Sequence, residues 1–580
     1  MTAPKVALVY AYWLDERTHT EDVRSVPIGS YAVAAACLQA GCEVRVFDWH
    51  GKRGFDADME AEFKAFGPDV VGFTVLQANR FGALEIAALA KRVLPGVSVV
   101  FGGVSATALW DFFLRHYPQL DAVVLGEGDV TMPKLVFALC AGRDLAQVAG
   151  IAHRGPDGPC CTATRAPVAD LDELPIAARW FRYNHLALTR GCPGRCTFCG
   201  SPAFWGPKVR FRSARHFVDE MQLLAEQGED YLFVSDDTFT LDKARVVEVC
   251  REILARGLDV QWQAISRVNA VDAEVLGWMR RAGCIQISFG VESGDTGIRD
   301  FLNKNIREDD VVRAFALCHS LGILARAYFI YGCPGESEAT VDRTLALIER
   351  IRPLVCHFFV LSIFPGTALY ERYKEQSGAT DDLWLERIED LKHFQIDDSL
   401  DIATVEGFGK RLRQTYGARL PAYAVGVELS ADPELAVSHA DFLARLGMTF
   451  HDGDYAANPL VSEPLQVAEA LYRRALEYHP DATAALGLGL LLQKRRAYPE
   501  SVRALALGLT VNDGHPKLSL ALAVSLMNLG EFGKALSFLL PFEDDPQALH
   551  YAALCFRNIG ETEHEARTLE RLRGLQQPGK

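Results

Sequence analysis

No apolar run in this sequence of 580 residues approaches the about 18 residues that a membrane-spanning helix needs, so we expect no membrane span. Basic residues are too few for a general nucleic-acid partner, since 60 Lys and Arg stand against 75 Asp and Glu, a net charge of −15. The 14 cysteines are too dilute for a disulfide framework. The first residues lack the apolar core and cleavage site of a signal peptide, and we therefore expect a cytoplasmic protein.

Short apolar runs alternate with helical stretches through residues 1–145. Strands are predicted at Val6–Tyr12, Glu43–Asp48, Asp69–Val75, Ser98–Phe101 and Ala122–Leu125, with helices such as Ile28–Ala40 and Phe81–Val93 between them. This alternation predicts an α/β domain with a doubly wound, Rossmann-like parallel sheet. Ligands of such sheets bind at the carboxyl ends of the strands, where glycines either admit a ligand or simply make turns.

Three cysteines follow a strand-like stretch, His185–Thr189, at the spacing C-x3-C-x2-C. They are Cys192, Cys196 and Cys199. Three thiolates on a [4Fe–4S] cluster leave one iron open for an exchangeable ligand. A zinc site would need a fourth Cys or His, and none lies close on the C-terminal side before His216. We therefore expect the three cysteines to be both the metal ligands and the catalytic centre.

Strand and helix patterns continue through residues 181–384 and predict a partial or complete (β/α) barrel. The predicted strands are Glu229–Ser235, Val260–Ile265, Cys284–Phe289, Leu324–Tyr331 and Val355–Phe364. Function in such barrels lies at the carboxyl ends of the strands. Charged residues follow several of these ends, and we expect Asp237, Arg267, Glu292 and Lys304 to form one constellation.

The cysteine motif resembles that of the radical SAM superfamily, over about residues 180–380. The resemblance implies that the open iron binds S-adenosylmethionine (SAM), which is then cleaved to a 5′-deoxyadenosyl radical, and that a flavodoxin- or ferredoxin-type reductant is a partner. The run Gly290–Gly294 resembles the family's SAM-contacting segment, while Asp236-Asp237 stands where many members have Gly-Gly-Glu. The SAM-binding residues implied are Phe198, Asp237, Arg267, Glu292, Ser293 and Lys304.

The order of strand ends in residues 1–145 resembles the cobalamin-binding domain that is fused to many radical SAM enzymes. The implied cobalamin contacts are Thr74, Leu76, Gln77, Asn79, Arg80, Gly102, Gly103, Gly126 and Glu127. The loop Leu14–Gly29 contains Asp15 and His19 but lacks the Asp-x-His-x-x-Gly spacing of members that ligate cobalt through histidine. We therefore expect no histidine ligand to cobalt and expect Gln77–Arg80 to lie near the lower face of the corrin.

Residues 146–180 are interpreted as a linker and residues 385–464 as a mainly helical connector. The C-terminal part, residues 465–580, resembles tetratricopeptide repeats. Three Ala- and Leu-rich units begin at His479, His515 and Asp545, and a helix over Pro464–Tyr478 precedes them. Such helix pairs make concave surfaces that bind a protein or peptide partner, although a cap for the barrel or a dimer contact is the alternative.

These patterns favour a radical SAM enzyme that uses cobalamin, most consistent with methylation of an unactivated carbon. A cobalamin-dependent cyclase or rearrangement enzyme is the alternative. A methylthiotransferase is disfavoured because Cys37, Cys42 and Cys140 are scattered and form no second cluster motif. A corrinoid-binding scaffold or sensor without catalysis is disfavoured by the intact cysteine set.

Overall fold

The computed structural model describes residues 3–14 and 27–576, which divide into two compact units. The N-terminal unit comprises Met1–Ala314, Arg326–Ile351 and Cys356–Leu412. The C-terminal unit comprises Phe315–Ala325, Arg352–Val355 and Arg413–Lys580. No helix within these described ranges is long and apolar enough to cross a membrane.

A seven-stranded sheet opens the N-terminal unit, with the strand order β2-β1-β3-β4-β5-β6-β7. Its elements are β1 (Lys5–Tyr10), α1 (Ile28–Gln39), β2 (Glu43–Asp48), α2 (Asp56–Phe66), β3 (Val70–Thr74), α3 (Arg80–Val93), β4 (Ser98–Gly102), α4 (Val104–Ala108), α5 (Trp110–His116), β5 (Ala122–Val124), α6 (Gly128–Cys140), β6 (Ile151–Gly155) and β7 (Gly158–Cys161). The first five strands pair in parallel, as predicted. Alternate residues face opposite sides of the sheet, so Ala7 and Val9 pack in one apolar cluster and Val6 and Leu8 in another.

The segment 146–180, interpreted as a linker, is in part a component of this sheet. β6 pairs antiparallel with β5, and β7 pairs antiparallel with β6. The two residues between β6 and β7 are Pro156 and Asp157, followed by Gly158. Asp-Gly at a two-residue connection is a strong hairpin pattern, so this part of the sheet was open to prediction.

The second sheet has six strands in chain order, with β8 and β15 at its edges, and is the partial form of the predicted barrel. The elements of this region are β8 (His185–Leu186), β9 (Thr189–Arg190), α7 (Ser201–Trp205), β10 (Arg210–Phe211), α8 (Ala214–Glu226), β11 (Tyr231–Val234), α9 (Lys243–Ala255), β12 (Gln261–Ser266), α10 (Ala273–Arg281), β13 (Cys284–Glu292), α11 (Thr296–Phe301), α12 (Glu308–Ser320), β14 (Leu324–Tyr331), α13 (Glu338–Ile351), β15 (Val355–Val360), β16 (Ser362–Ile363), α14 (Ala368–Ser377) and β17 (Leu391–Lys392). Several helices begin where a side chain caps the first turn. Ser213 accepts from the His216 amide, and Asp272 accepts from the Val275 amide.

The first sheet shares an apolar core with segments of the barrel region that lie outside the second sheet. The cluster that contains Phe73 and Phe101 of the first sheet also contains Leu302, Leu369 and Trp384. The residues after the barrel, through Leu412, therefore belong to this unit, although the sequence was interpreted as a separate connector from 385.

The C-terminal unit is built from helices, arranged largely as consecutive pairs. They are α15 (Ile402–Val425, of which the part from Arg413 lies in this unit), α16 (Ala436–His451), α17 (Pro464–Tyr478), α18 (Ala482–Lys494), α19 (Tyr498–Leu509), α20 (Pro516–Asn528), α21 (Phe532–Leu539), α22 (Pro546–Ile559) and α23 (Thr562–Gln576). The pairs α18–α19, α20–α21 and α22–α23 coincide with the three predicted units, and neighbouring pairs share one apolar cluster. Their assignment as tetratricopeptide repeats stays a prediction.

Candidate functional site

The cysteine loop, residues 191–199, begins at a strand that a buried carboxylate holds in place. Asp236, at the end of β11, accepts hydrogen bonds from the amides of Leu188 (3.0 Å) and Thr189 (2.6 Å) and from the Thr189 hydroxyl. Burial raises the pKa of Asp236 to about 6, against the effect of these donors. Asp236 thus positions the chain immediately before Cys192, while its neighbour Asp237 accepts from Ser201 Oγ at 2.5 Å.

The far end of the loop is held by backbone contacts to the segment after α11 and to α14. The Thr197 amide donates to the Leu302 carbonyl at 3.0 Å, and the Asn303 side-chain amide donates to the Arg195 carbonyl at 2.6 Å. The Leu369 amide donates to the Thr197 carbonyl at 2.8 Å. Three separate elements therefore fix a loop that contains no regular secondary structure of its own.

Two of the three cysteines lie beside hydrogen-bond donors. The Gly194 amide lies 3.4 Å from Cys192 Sγ, and Arg267 Nη1 lies 3.9 Å from Cys196 Sγ. A side chain at residue 194 would crowd both, since a Cβ would lie 3.0 Å from Arg267 Nη1 and 3.4 Å from Cys192 Sγ. Burial raises the pKa of the Cys199 thiol to about 11, so a bound iron would be needed to hold it as a thiolate, the form that ligates iron–sulfur clusters.

No group of three or more His, Cys, Asp or Glu in the described parts of the chain is arranged to hold a single metal ion. The three cysteines are included in this finding. Ligands to separate irons of a cluster do not have to meet at one point, and the donor set of three thiols with an amide and a guanidinium fits a [4Fe–4S] cluster with one open iron.

A buried ion pair follows the end of β13. Lys304 Nζ lies 2.7 Å from Glu292 Oε1, and both side chains are below 10% exposed, at 9% and 6%. Glu292 adopts a left-handed φ of 67°, which is uncommon for a residue other than glycine and costs about 1–3 kcal/mol. A Cβ on Gly290 would overlap Glu292 Oε1 and lie 2.6 Å from Lys304 Nζ. Glycine at 290 is therefore what allows the carboxylate to turn back over the strand end.

The remaining predicted SAM residues divide into two groups. Arg267 and Phe198 lie with the loop, because Arg267 contacts Cys196 and the half-buried Phe198 packs on the core beneath it. Ser293 is buried, and its hydroxyl lies 3.2 Å from Thr344 Oγ1 and accepts from the Asp295 amide at 3.1 Å. The Ser293 side chain thus braces the turn after Glu292.

A cavity of about 330 Å³ lies at the carboxyl ends of β1, β3, β4 and β5. Of the predicted cobalamin contacts, six line it: Thr74, Leu76, Gly102, Gly103, Gly126 and Glu127. Gly103 has a φ of 94°, and a Cβ there would lie 3.0 Å from the Val75 carbonyl oxygen. The opposite wall of the cavity is α7, which contributes Ser201, Phe204 and Trp205 and begins two residues after Cys199, the last cysteine of the loop.

Two of the predicted cobalamin contacts, Asn79 and Arg80, form hydrogen bonds to the backbone in the structure. Asn79 closes its own loop, accepting from the Leu76 amide at 2.8 Å and donating to the Thr74 carbonyl at 3.0 Å. The Arg80 guanidinium is buried among the carbonyls of Trp384, Glu386 and Ile388, where burial lowers its pKa to about 10. Both side chains are buried and hydrogen-bonded to backbone groups, and their contact with cobalamin stays a prediction.

Gln77 is buried, and neither atom of its side-chain amide has a hydrogen-bond partner in the structure. Buried polar groups are nearly always paired, so an amide without a partner indicates an absent polar group. Gln77 therefore fits the expectation that its loop faces a cofactor. Asp15 and His19, of the loop without the cobalt-ligating spacing, lie outside the described residues.

Glu127 lines the cavity, but its carboxylate belongs to a buried ionic network that the sequence did not reveal. Arg190, the residue two before Cys192, lies 3.2 Å from Glu127 and makes two contacts of 2.8 and 2.9 Å with Asp129. Arg210 and Arg165 also pair with Glu127, at 2.7 and 3.3 Å. For Asp129, burial alone would raise the pKa, but Arg190 outweighs it and holds that pKa below its usual range. The network ties the segment after β5, which contains Glu127 and Asp129, to β9, the strand just before the cysteine loop.

The chain matches two families along its length. The Radical SAM superfamily matches residues 186–348, and the B12 binding domain matches residues 22–136. An uncharacterized methyltransferase of Pyrococcus horikoshii is 30% identical over 407 residues, which are 67% of this chain and 86% of that protein. An anaerobic magnesium-protoporphyrin IX monomethyl ester cyclase of Rubrivivax gelatinosus is 30% identical over 323 residues, and this chain covers 58% of it.

The fold is similar to that of the radical SAM methyltransferase TsrM from Kitasatospora setae, solved with cobalamin and a [4Fe–4S] cluster bound. The TM-score is 0.60 at 19% sequence identity, and the match covers 82% of this chain and 99% of that one. At this identity the likeness concerns the fold alone.

Proposed function

We propose that this chain, which belongs to the radical SAM enzymes that carry a B12-binding domain, is a cobalamin-dependent methyltransferase that acts on an unactivated carbon. The observation that carries the proposal is the shared wall between the cysteine loop and the cavity. Helix α7 starts two residues after Cys199 and lines the cavity, and a Cβ on Gly200 would lie 3.6 Å from Val104. This adjacency supports placing the two proposed cofactor sites next to each other.

Adjacent sites are what radical methylation requires. When bound, the cluster and SAM supply a carbon-centred radical, and cobalamin supplies the methyl group. The chain's own residues hold these groups and keep water away. Cys192, Cys196 and Cys199 would hold the cluster, while Glu292, paired with Lys304, would accept hydrogen bonds from the amine or ribose hydroxyls of SAM.

Apolar side chains would shield the reaction from water. Phe204 and Trp205 face the cavity from α7, and Trp205 is held by Arg190, whose guanidinium lies 5.3 Å from the indole ring. Gln77, without a protein partner, would hydrogen-bond a polar group of the corrinoid. The expected lower face has no imidazole, because no Asp-x-His-x-x-Gly motif is present.

The proposal also includes partners. A flavodoxin- or ferredoxin-type protein would reduce the cluster, and the helix pairs of the C-terminal unit would present a surface for a protein or peptide. The proposed location is the cytoplasm. A second candidate activity is radical cyclisation, which is favoured by the 30% identity to the cyclase over about half of this chain.

The experiment that tests the function follows SAM carrying a trideuterated methyl group. Anaerobic, cluster-loaded and cobalamin-loaded protein should form both S-adenosylhomocysteine, the by-product of methyl donation, and 5′-deoxyadenosine, the by-product of radical cleavage. A cyclase would form 5′-deoxyadenosine without S-adenosylhomocysteine, and a scaffold would form neither. Cys196→Ala is the control, because it removes one cluster ligand and should abolish 5′-deoxyadenosine.

A further inference from the structure

The outer side of the cysteine loop forms one wall of a groove of about 910 Å³. Pro193, Gly194 and Arg195, the three residues between Cys192 and Cys196, line it directly. This groove is separate from the cavity between the loop and the first sheet, since the two share no lining residue. It therefore reaches the cysteine loop from a side other than that of the cavity, and of the predicted SAM-binding residues Arg267 lines it.

The groove is basic in a protein that is acidic overall. Four cations line it, against one carboxylate: Arg195, Lys243, Arg267 and Arg307, with Asp310. Asp310 is buried and already paired with Arg307 (3.2 Å) and Arg313 (2.9 Å). In the part of the chain that the structure describes, neither Arg195 nor Arg267 has a carboxylate within ion-pair distance. Lys243 pairs at 2.7 Å with Asp272, which does not line the groove. The uncompensated positive charge of the groove is therefore that of Arg195 and Arg267, whereas the chain as a whole has a net charge of −15.

The groove also comes close to the cluster ligands. Arg267 lines the groove and lies 3.9 Å from Cys196 Sγ, so one side chain separates an occupant from a cluster thiolate. The rim adds an exposed apolar residue, Leu241, and uncharged amides at Asn269 and Asn305. Cations around a small apolar contact are typical of a weak, electrostatically guided protein interface.

We propose that this groove docks a small acidic one-electron carrier protein. The inference rests on the proposed function, in which such a carrier reduces the cluster. The carrier loses one electron and the cluster gains one, and no proton or bond is exchanged. A small anionic ligand fits the groove less well, because its cations do not converge in a buried site: the Arg307 side chain is 77% exposed. Opposite charges raise the rate of encounter and are weakened by salt, which gives the proposal a measurable signature.

The test uses purified flavodoxin as the probe and the full-length, cluster-loaded protein. Arg307→Glu reverses an exposed charge, and Arg195→Glu/Arg307→Glu reverses two. We expect the Kd for oxidised flavodoxin, measured by fluorescence anisotropy at low salt, to rise roughly tenfold in the single variant and roughly a hundredfold in the double. Both differences should shrink at high ionic strength. Lys534→Glu, which makes the same change on an exposed lysine of the C-terminal unit, should leave the Kd within about twofold.

Electron transfer supplies the second readout. Stopped-flow reduction of the cluster by reduced flavodoxin should slow in Arg307→Glu, whereas 5′-deoxyadenosine formation driven by dithionite should not change. Unchanged flavodoxin binding in the double variant would overturn the proposal, as would equal losses with flavodoxin and with dithionite. Failure of the wild-type protein to cleave SAM with dithionite would instead contradict the proposed function, since flavodoxin binding is measured without any turnover.

Discussion

Replacement of Arg190 is expected to lower the thermal stability of the N-terminal unit. Its side chain is 16% exposed and pairs with two carboxylates, Glu127 and Asp129, whose side chains are 3% and 5% exposed. Arg190→Met keeps much of the volume but leaves Asp129 without its bidentate partner. Breaking a buried ion pair by removing one member costs about 3–5 kcal/mol, because a buried charge loses its compensation. In a unit of this size we expect Tm to fall by about 4–6 °C.

The double variant Asp129→Asn/Arg190→Met separates charge from packing. It removes the uncompensated carboxylate, so it should recover a large part of the stability that Arg190→Met loses. Glu127 keeps Arg210 and Arg165 in both variants. Thermal unfolding of the cluster-loaded protein measures the effect, and iron content reports whether the cysteine loop moved with the strand.

An exposed pair provides the matched control. Arg182 lies 2.5 Å from Glu229, but its side chain is 62% exposed, so Arg182→Met should change stability by no more than about 1 kcal/mol. The reasoning is refuted if Arg190→Met unfolds at the wild-type temperature, or if the double variant is no more stable than the single. The pH dependence adds a check on sign. Because the pKa of Asp129 is lowered in the folded state, its contribution is present above the ordinary aspartate pKa and is lost as the pH falls through the folded value.

Substitutions at three further residues test the SAM site and the cysteine strand. Gly290→Ala should force Glu292 and Lys304 apart and weaken SAM binding, by calorimetry, about tenfold or more; wild-type affinity would show that the pair can shift. Glu292→Ala should weaken SAM binding roughly 10- to 150-fold, because it loses a charge-assisted hydrogen bond of about 1.5–3 kcal/mol. It should also lower Tm, because Lys304 loses its partner. Glu292→Gln should have a smaller effect on both SAM affinity and Tm. Because the pKa of Asp236 is raised in the folded state, the folded wild type holds an extra proton between the ordinary aspartate pKa and about pH 6, and its stability should decline as the pH rises through that window. Asp236→Asn should remove this decline, which urea unfolding at several pH values measures. An identical decline in both proteins would show that another group causes it.

The sequence predicted those parts of the fold that local patterns determine. β2 (Glu43–Asp48) and α17 (Pro464–Tyr478) have the predicted bounds, because their apolar periodicity ends at polar residues, glycine or proline. The cysteine loop was predictable for the same reason, since its ligands lie within eight residues. The hairpin β6–β7 was missed although Asp157-Gly158 marks its turn.

The site residues that the sequence did not reveal depend on contacts between distant parts of the chain. Arg190 and Asp129 are 61 residues apart, and Arg80 lies 308 residues before its partner Ile388. Spacing within a motif carries no information on such pairs. Asp129 lies two residues after the predicted contact Glu127, and Arg190 lies two residues before Cys192, so a pair of opposite charges joining these two motifs would have been the pattern to seek.

The burial of Arg80 bears on how freely this protein could be divided. Its guanidinium donates hydrogen bonds to the carbonyls of Trp384, Glu386 and Ile388 in place of water, and it lies over the rings of Phe81 and Trp384. A fragment that ends near residue 145 would expose this cation and the apolar surface around it, so it should express poorly and aggregate. The B12-binding domain therefore depends on a segment outside its own sequence. A fusion of this domain to another radical SAM barrel would also have to include residues 384–388.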